Sequence, residues 1–375
     1  MSEISDMIQR LCPDGVEYRK IKDTVGVNRG SRLTKSQLID DGIYEVYHGS
    51  KDTPLGRYNH YNAPRYSTIV VNTGGIGGVK FLDDNFWCSD GSFWLGQVPY
   101  IEPKYLYYCL SGYEDYFYSK KRVGGVPTID RAVVEDFEIP VPPLEVQRKI
   151  VEVLDNFSEL TAELTAELEA RKKQYEYYRD NLLNFNRGGQ NVSDVKWMTL
   201  QEMSTNCDRL RKPIASSKRV SGNIPYYGAS GIVDYVQGYT CDGDFLLISE
   251  DGANLLTRTT PIAFSISGKN WVNNHAHVIS FENQFTRRFV EYYFNSISLE
   301  PYITGGAQPK LNQENLNRIL IPIPPLAEQE RIVSILDRFE ALTTDLTAGL
   351  PAEIKARQQQ YEYYRDQLLT FKRAN

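Results

Sequence analysis

Four histidines (48, 60, 275, 277) and five cysteines (12, 88, 109, 207, 241) are the groups in this 375-residue chain best suited to metal or nucleophilic chemistry. The cysteines are odd in number and include no C-x-x-C pair, so they read as reduced, structural thiols. The i,i+2 spacing of His275 and His277 suits one face of a strand, then a DNA contact, and only last a metal site. Gly74-Gly75-Ile76-Gly77-Gly78-Val79-Lys80 fits neither G-x-G-x-x-G nor a Walker A loop; it reads as a turn or a close backbone approach. No catalytic or metal-binding residue is expected.

Residues able to read nucleic acid are easier to find. Amide and guanidinium groups make bidentate contacts to base edges. The loop positions that offer such groups are Ser50, Lys51, Arg57, Asn72 and Lys80 early in the chain, and Ser230, Asn254, Arg258, Asn274 and His275 later. Lys120-Lys121-Arg122, next to Gly124-Gly125, is the densest basic run, either a solvated loop or a phosphate contact. The matching turn later in the chain, Gly305-Gly306, carries Gln308 and Lys310 instead. Arg209 and Arg211, with Lys212, Lys218 and Arg219, form a second basic cluster.

The elements that must position these groups are written twice. IPVPPLEVQRKIVEVLDNFSEL (139–160) matches IPIPPLAEQERIVSILDRFEAL (321–342) at 12 of 22 positions, and ARKKQYEYYRDNLLNF (170–185) matches ARQQQYEYYRDQLLTF (356–371) at 12 of 16. The offset grows from 182 to 186 because FSEL-TAEL-TAEL is answered by FEAL-TTDL-TAGL-PAEI, one tetrapeptide longer. Four residues are about one helical turn, ~6 Å of rise, so such units suit a ruler. Pro142-Pro143 and Pro324-Pro325 open each repeat, and apolar residues then recur at coiled-coil gaps, through Leu342 and Leu346 in the second copy. Gly349-Leu350-Pro351 is the one place where the second helix is expected to kink.

The intervening blocks match weakly but in order. Tyr47-His48-Gly49 parallels Tyr226-Tyr227-Gly228, the run 67–71 parallels 244–249, and Trp87 parallels Trp271. Short β-rich runs with turn glycines predict mixed, mostly β domains. The predicted fold is α+β with an internal pseudo-two-fold repeat: domains at 1–138 and 187–320, and two long antiparallel coiled-coil helices at 139–186 and 321–375. The net charge of −6 is spread evenly; 1–138 carries 16 Lys+Arg against 19 Asp+Glu, and 187–320 carries 13 against 12. Bulk phosphate attraction alone would not hold DNA. No apolar run near 20 residues and no basic-then-apolar leader is visible, so a cytosolic protein is expected.

The double layout, the two proline-opened repeats, the TAEL tetrads and the QYEYYRD helix ends together resemble the specificity subunit of type I restriction–modification systems. YYGASG (226–231) and WVNNHAHV (271–278) are similar to that family's target-recognition motifs. The resemblance implies two target recognition domains, each reading half of a split double-stranded DNA site, with a spacer set by the tetrads. It also implies two docked methyltransferase subunits, joined by restriction subunits. S-adenosylmethionine would belong to the methyltransferase subunits, and this chain would bind no cofactor. Its two P-P pairs lack the flanking polar and aromatic residues of an adenine-N6 clamp. The expected docking surface is Tyr175, Tyr178, Arg179 and Asp180 with Tyr361, Tyr364, Arg365 and Asp366, because the seam has no need for a repeated Arg-Asp pair. A coiled-coil adaptor presenting two β-rich domains to protein or glycan is the alternative, and a self-sufficient methyltransferase a third reading.

Overall fold

Pairing within each half begins where the domain begins and ends: Tyr18–Lys20 lies antiparallel to Glu138–Pro140, and Lys196–Thr199 to Leu320–Ile323. The computed structural model describes residues 2–122, 124–185, 194–306 and 308–374. It divides into two compact units, Met1–Thr165 with Glu353–Asn375, and Ala166–Ala352.

In the first unit a four-stranded antiparallel sheet has the order Val27–Arg29, Ser92–Leu95, Ser67–Val71, Val79–Leu82. A smaller sheet joins Gly56–Tyr58, Tyr44–Tyr47 and Trp87–Cys88, the last two running parallel. The second unit repeats both orders: Thr205–Asn206, Ala276–Ser280, Phe245–Ser249, Ala263–Ile266 in one sheet, and Gly231–Val236, Ser221–Gly228, Lys269–Val272 in the other, with Cys241–Asp242 added at its edge. Ser67–Val71 and Phe245–Ser249 are buried at every position, the polar Ser67, Thr68 and Ser249 at their ends included, around apolar centres that suit inner strands.

Trp87 and Trp271 are true counterparts. Each indole N–H donates to a loop carbonyl, Ser31 at 2.8 Å and Lys212 at 2.6 Å. Their strand partners shift the expected alignment by one residue: Trp87 pairs with Val46 and Trp271 with Tyr226. The Tyr47 carbonyl accepts from Ser89 N, and the Tyr227 carbonyl from Asn273 N. Tyr47 therefore corresponds to Tyr227, not to Tyr226, because ladder register rather than residue identity sets which face a side chain takes.

The first helical repeat is one helix, Leu144–Leu182, of 39 residues. Inside it, tetrad threonines bond back by one turn, Thr161 to the Phe157 carbonyl and Thr165 to that of Thr161. The second repeat is broken into Leu326–Thr344 and Leu350–Leu368. The extra tetrad falls at this break and does not lengthen a continuous helix. The Asp345 carboxylate accepts from Thr347 N at 2.7 Å and Ala348 N at 3.2 Å, and so closes the turn. A Cβ on Gly349 would lie 2.6 Å from the Ala341 carbonyl oxygen. Leu346, expected in the seam, is 78% exposed in that turn. Pro351 sits in the first turn of the following helix, where it removes no intrahelical bond.

The repeat is preserved in contact as well as in sequence. Phe157 stacks on Tyr364 with centroids 5.2 Å apart in the first unit, and Phe339 stacks on Tyr178 at 5.5 Å in the second. Among the described residues no helix is long and apolar enough to cross a membrane.

Candidate nucleic-acid interface

In the first unit, loops following the inner strands of both sheets converge. Gly75 N donates to the Gly49 carbonyl at 2.8 Å. Gly74 has φ +86, and a Cβ there would lie 2.6 Å from that same oxygen, so the approach requires glycine. Thr73 and Arg122 each form an isolated antiparallel bridge to Thr128, which draws the basic run toward the Gly-rich loop. Ser50, Lys51 and Lys120–Arg122 thus belong to one loop cluster. Within it, Ser50 Oγ accepts from Thr53 N, Lys51 Nζ lies 2.7 Å from both Glu114 oxygens, and Arg122 pairs with Asp130. Lys120 and Lys121 lie over the Tyr116 and Tyr118 rings at 5.2 and 3.5 Å.

Three expected readers of this domain are placed otherwise. Asn72 is only 6% exposed and its Oδ1 has no hydrogen-bond partner among the described residues, so it is an interior group, not a solvent-facing one. Arg57 and Lys80 line a cavity of about 460 Å³ beside Glu45 and Tyr47. There Lys80 Nζ donates to the Tyr47 hydroxyl at 3.2 Å, which in turn donates to Glu45 at 2.6 Å. Arg57 donates to the Ile43 carbonyl.

The second unit gathers the corresponding loops. Ser230 is at the tip of a hairpin whose Ala229 carbonyl accepts from Ser249 Oγ. Asp251 and Thr304 both bridge to Lys310, and Leu311 N donates to the Glu250 carbonyl at 2.7 Å. Asn274, His275, Gln308 and Lys310 are exposed around this junction. His275 Nδ1 lies 2.9 Å from the Asp251 carboxylate, and Lys310 Nζ 3.0 Å from Glu250.

Beneath these loops is an ionic interior. His277, 1% exposed, places Nδ1 2.7 Å from Asp208 and Nε2 2.9 Å from the Leu311 carbonyl. Both neighbours are acceptors, so the ring satisfies both only as a double donor. Arg211 bridges Asp208, at 3.1 Å, and Glu250. Burial pushes the Asp208 and Glu250 carboxyls up, but His277 and the Val278 amide at Asp208, and Arg211 and Lys310 at Glu250, outweigh it. Both are held below the ordinary carboxylate value.

Several expectations change here. His275 and His277 do not share a strand face: the strand starts at Ala276, and His275 falls in the preceding turn, its N–H held by Asn273 Oδ1. Arg211 is an interior ion-pair partner. Arg258 has φ +52 and donates to the Phe294 and Ile297 carbonyls at 3.2 and 2.7 Å, closing the C-terminal end of helix Gln284–Ser296. Burial lowers its guanidinium pKa. Asn254 ties its loop to Thr259 and Thr260. Arg209 is exposed. The carboxylates Asp208, Glu250 and Asp251 escaped the sequence reading; their only signal was acidic residues interleaved with the expected readers.

The QYEYYRD segments repeat their internal contacts. Arg179 and Arg365 hold the neighbouring Asp180 and Asp366 at 2.9 Å, and lie over Tyr175 and Tyr361 at 5.8 and 5.7 Å. Tyr175 turns toward Phe339 and Tyr361 toward Tyr108. Tyr178 and Tyr364 take the stacking contacts described above. The members exposed in both copies are Glu176, Tyr177 and Asp180, and Glu362, Tyr363 and Asp366; Tyr178 is exposed in the first copy alone. Tyr177 and Tyr363, 66% and 61% exposed, were not singled out from sequence, although the doubled tyrosine of each YEYY was the available sign.

A family model described as the type I restriction modification DNA specificity domain matches residues 13–171 and again 193–356. The chain belongs to this family. A Haemophilus influenzae protein, whose name assigns it to the type I restriction enzyme specificity subunits, is 45% identical over 187 residues. That match covers 49% of this chain and 48% of the relative, so the chain spans about half that relative's length. The specificity subunit of an Escherichia coli type I restriction enzyme is 33% identical over 302 residues, 72% of this chain and 70% of that one. The crystal structure of the type I restriction–modification S subunit from M. genitalium aligns with a TM-score of 0.65 at 18% identity, covering 95% of this chain and 96% of that one. The two model matches fall on the two halves of the internal repeat. The DNA specificity fold is thus present twice, each copy with its own loop cluster.

Proposed function

We propose that this chain is the non-catalytic, DNA-reading subunit of a type I restriction–modification complex, with each loop cluster reading one half of a split site. The observation that carries the reading is a contrast. The two halves share sheet order, tryptophan anchors and loop bridges, while the side chains on the loops differ almost throughout. A shared frame with different side chains suits two different ligand sequences, and base-edge recognition depends on side-chain identity. In the first half Ser50, Lys51 and Lys120–Arg122 are the reading and phosphate groups; in the second they are Ser230, Asn274, His275, Gln308 and Lys310, with the exposed Arg209 as a further phosphate contact.

The identical, exposed Glu-Tyr and Asp positions of the two QYEYYRD segments support two equal docking surfaces for methyltransferase subunits, through which restriction subunits join. Those subunits would supply S-adenosylmethionine and flip the target base. The complex assembled with its modification subunits is expected to protect two short DNA segments flanking an unprotected centre. A single continuous footprint would overturn the reading. Tyr177→Ala with Tyr363→Ala is expected to abolish co-purification of the modification subunit, with unchanged thermal unfolding of the chain alone.

A further inference from the structure

Each recognition domain meets the spacer helix that follows it along one helix of its own, Pro103–Ser111 in the first unit and Gln284–Ser296 in the second. Two polar points hold each meeting. The first is a buried glutamine near the start of the spacer helix. Gln147 Nε2 donates to the Pro142 and Tyr100 carbonyls at 2.7 and 3.0 Å, while its Oε1 accepts from Glu102 N at 2.8 Å. Gln329 Nε2 donates to the Pro324 carbonyl at 2.8 Å, and its Oε1 accepts from Thr286 Oγ1 at 2.8 Å. The second point is a tyrosine–aspartate pair, Tyr108 to Asp155 at 2.5 Å and Tyr292 to Asp337 at 2.6 Å. A cation four residues before each tyrosine completes it: Lys104 Nζ lies 2.8 Å from Asp155, and Arg288 Nη2 2.6 Å from Asp337.

The glutamine and aspartate belong to the identical positions of the repeat, whereas the domain helices PKYLYYCLS and QFTRRFVEYYFNS have diverged. Tyr108 and Tyr292 are nevertheless kept at the same place, 2% and 3% exposed. Apolar packing alone is non-directional and lets one helix roll on another, while hydrogen bonds have a strict angular requirement. Glutamine and aspartate are eight residues apart, about 12 Å along the spacer helix. Two directional contacts at that separation fix both roll and slide.

We propose that the Gln147/Asp155–Tyr108 and Gln329/Asp337–Tyr292 pairs act as two-point latches that set each recognition domain's angle on its own spacer helix, and so make spacer length a criterion of recognition alongside half-site sequence. Successive base pairs of B-DNA are rotated by about 35°, since a turn takes 10–10.5 base pairs. A domain free to roll by that amount accepts a spacer one base pair too long or too short. The latch residues are positioning residues: they touch no DNA, and act through the angle of the loops that do. This rests on the split-site reading.

The test uses the complex with its modification subunits, and duplexes carrying the methylated site with its native spacer, or one base pair longer or shorter, both half-sites unchanged. Tyr108→Phe with Tyr292→Phe is expected to narrow the wild-type preference for the native spacer about tenfold, the worth of a hydrogen bond to a charged group. Base preference within each half-site is expected to stay unchanged. Lys104→Met with Arg288→Met leaves the phenol–carboxylate bonds in place, and is expected to narrow the preference less; it also serves if the tyrosine variant fails to fold. Folded variants that keep the full wild-type preference, or that lose affinity equally on all three spacers, overturn the latch. A wild-type complex indifferent to spacer length overturns the split-site reading itself, and the latch with it.

Discussion

The two recognition domains are built on one backbone frame with opposite chemistry beneath the loops. In the first, Phe93 pairs with Val70, Asn72 accepts from Ile129 N through its carbonyl, and Thr73 bonds Thr128 by their hydroxyls at 3.2 Å. In the second, the corresponding positions are His277 against Ile248, Glu250 accepting from Leu311 N, and Asp251 bridged to Lys310. The backbone bonds from Ile129 N to Asn72 and from Leu311 N to Glu250 correspond, while neutral side chains at these positions have become ionic ones. The frame is defined by main-chain pairing, so it leaves side chains free to diverge. The freedom differs, though. Neutral neighbours change one at a time, whereas buried charges change only together, because a charge stripped of its partner remains uncompensated.

The sharpest way to break this comparison is His277→Phe, which gives the second domain the first domain's residue. Asp208 loses the ring it faces inside the protein but keeps Arg211 and the Val278 amide, and a loss of about 2–3 kcal/mol is expected in urea unfolding. Phe93→Leu in the first domain is expected to cost under about 1.5 kcal/mol. Similar costs for the two would show that the ionic interior contributes no more than packing.

Acid sharpens the contrast next. Asp208 and Glu250 are depressed in the folded protein. The stability they add is therefore complete above the ordinary carboxylate pKa of about 4, and is lost as pH falls through their lower folded values. The second domain is expected to open first on acidification, read by pulse proteolysis. Asp208→Asn should flatten that dependence. Glu291 works with the opposite sign: burial raises its carboxyl, so its contribution is present at low pH and fades as pH rises through the folded value. Glu291→Gln should make the acid loss steeper.

The smallest effect concerns what the domains share. Trp87→Phe and Trp271→Phe each remove one indole hydrogen bond to a loop carbonyl, and equal losses of about 1 kcal/mol are expected. Losses differing by more than that would argue against a common frame.

Much of the architecture was legible because it is local. The repeat, the proline-opened helices, the buried strands 67–71 and 245–249, and the tryptophan pair follow from spacing along a few turns or a few residues. The break in the second helix was marked by Gly349 and Pro351, although the turn closed by Asp345 was not. The candidate loop clusters were only partly legible. Ser230, Asn274, His275, Gln308 and Lys310 do gather at one surface, but Asn72, Arg211 and Arg258 are taken up inside their domains. A polar residue in a loop has the same sequence signature whether it faces solvent or a carbonyl thirty residues away.

By itself, then, the sequence determined that this protein is a doubled fold with two matched helical repeats and two diverged domains, since periodicity and repetition need no knowledge of distant partners. Tertiary structure alone decided the one-residue slip that sets Tyr47 against Tyr227, the ionic core around His277, and the tyrosine–aspartate pairs on the spacer helices. Each of these depends on which residues from remote segments come within hydrogen-bond reach, and that is a property of the folded sheets, not of spacing along the chain.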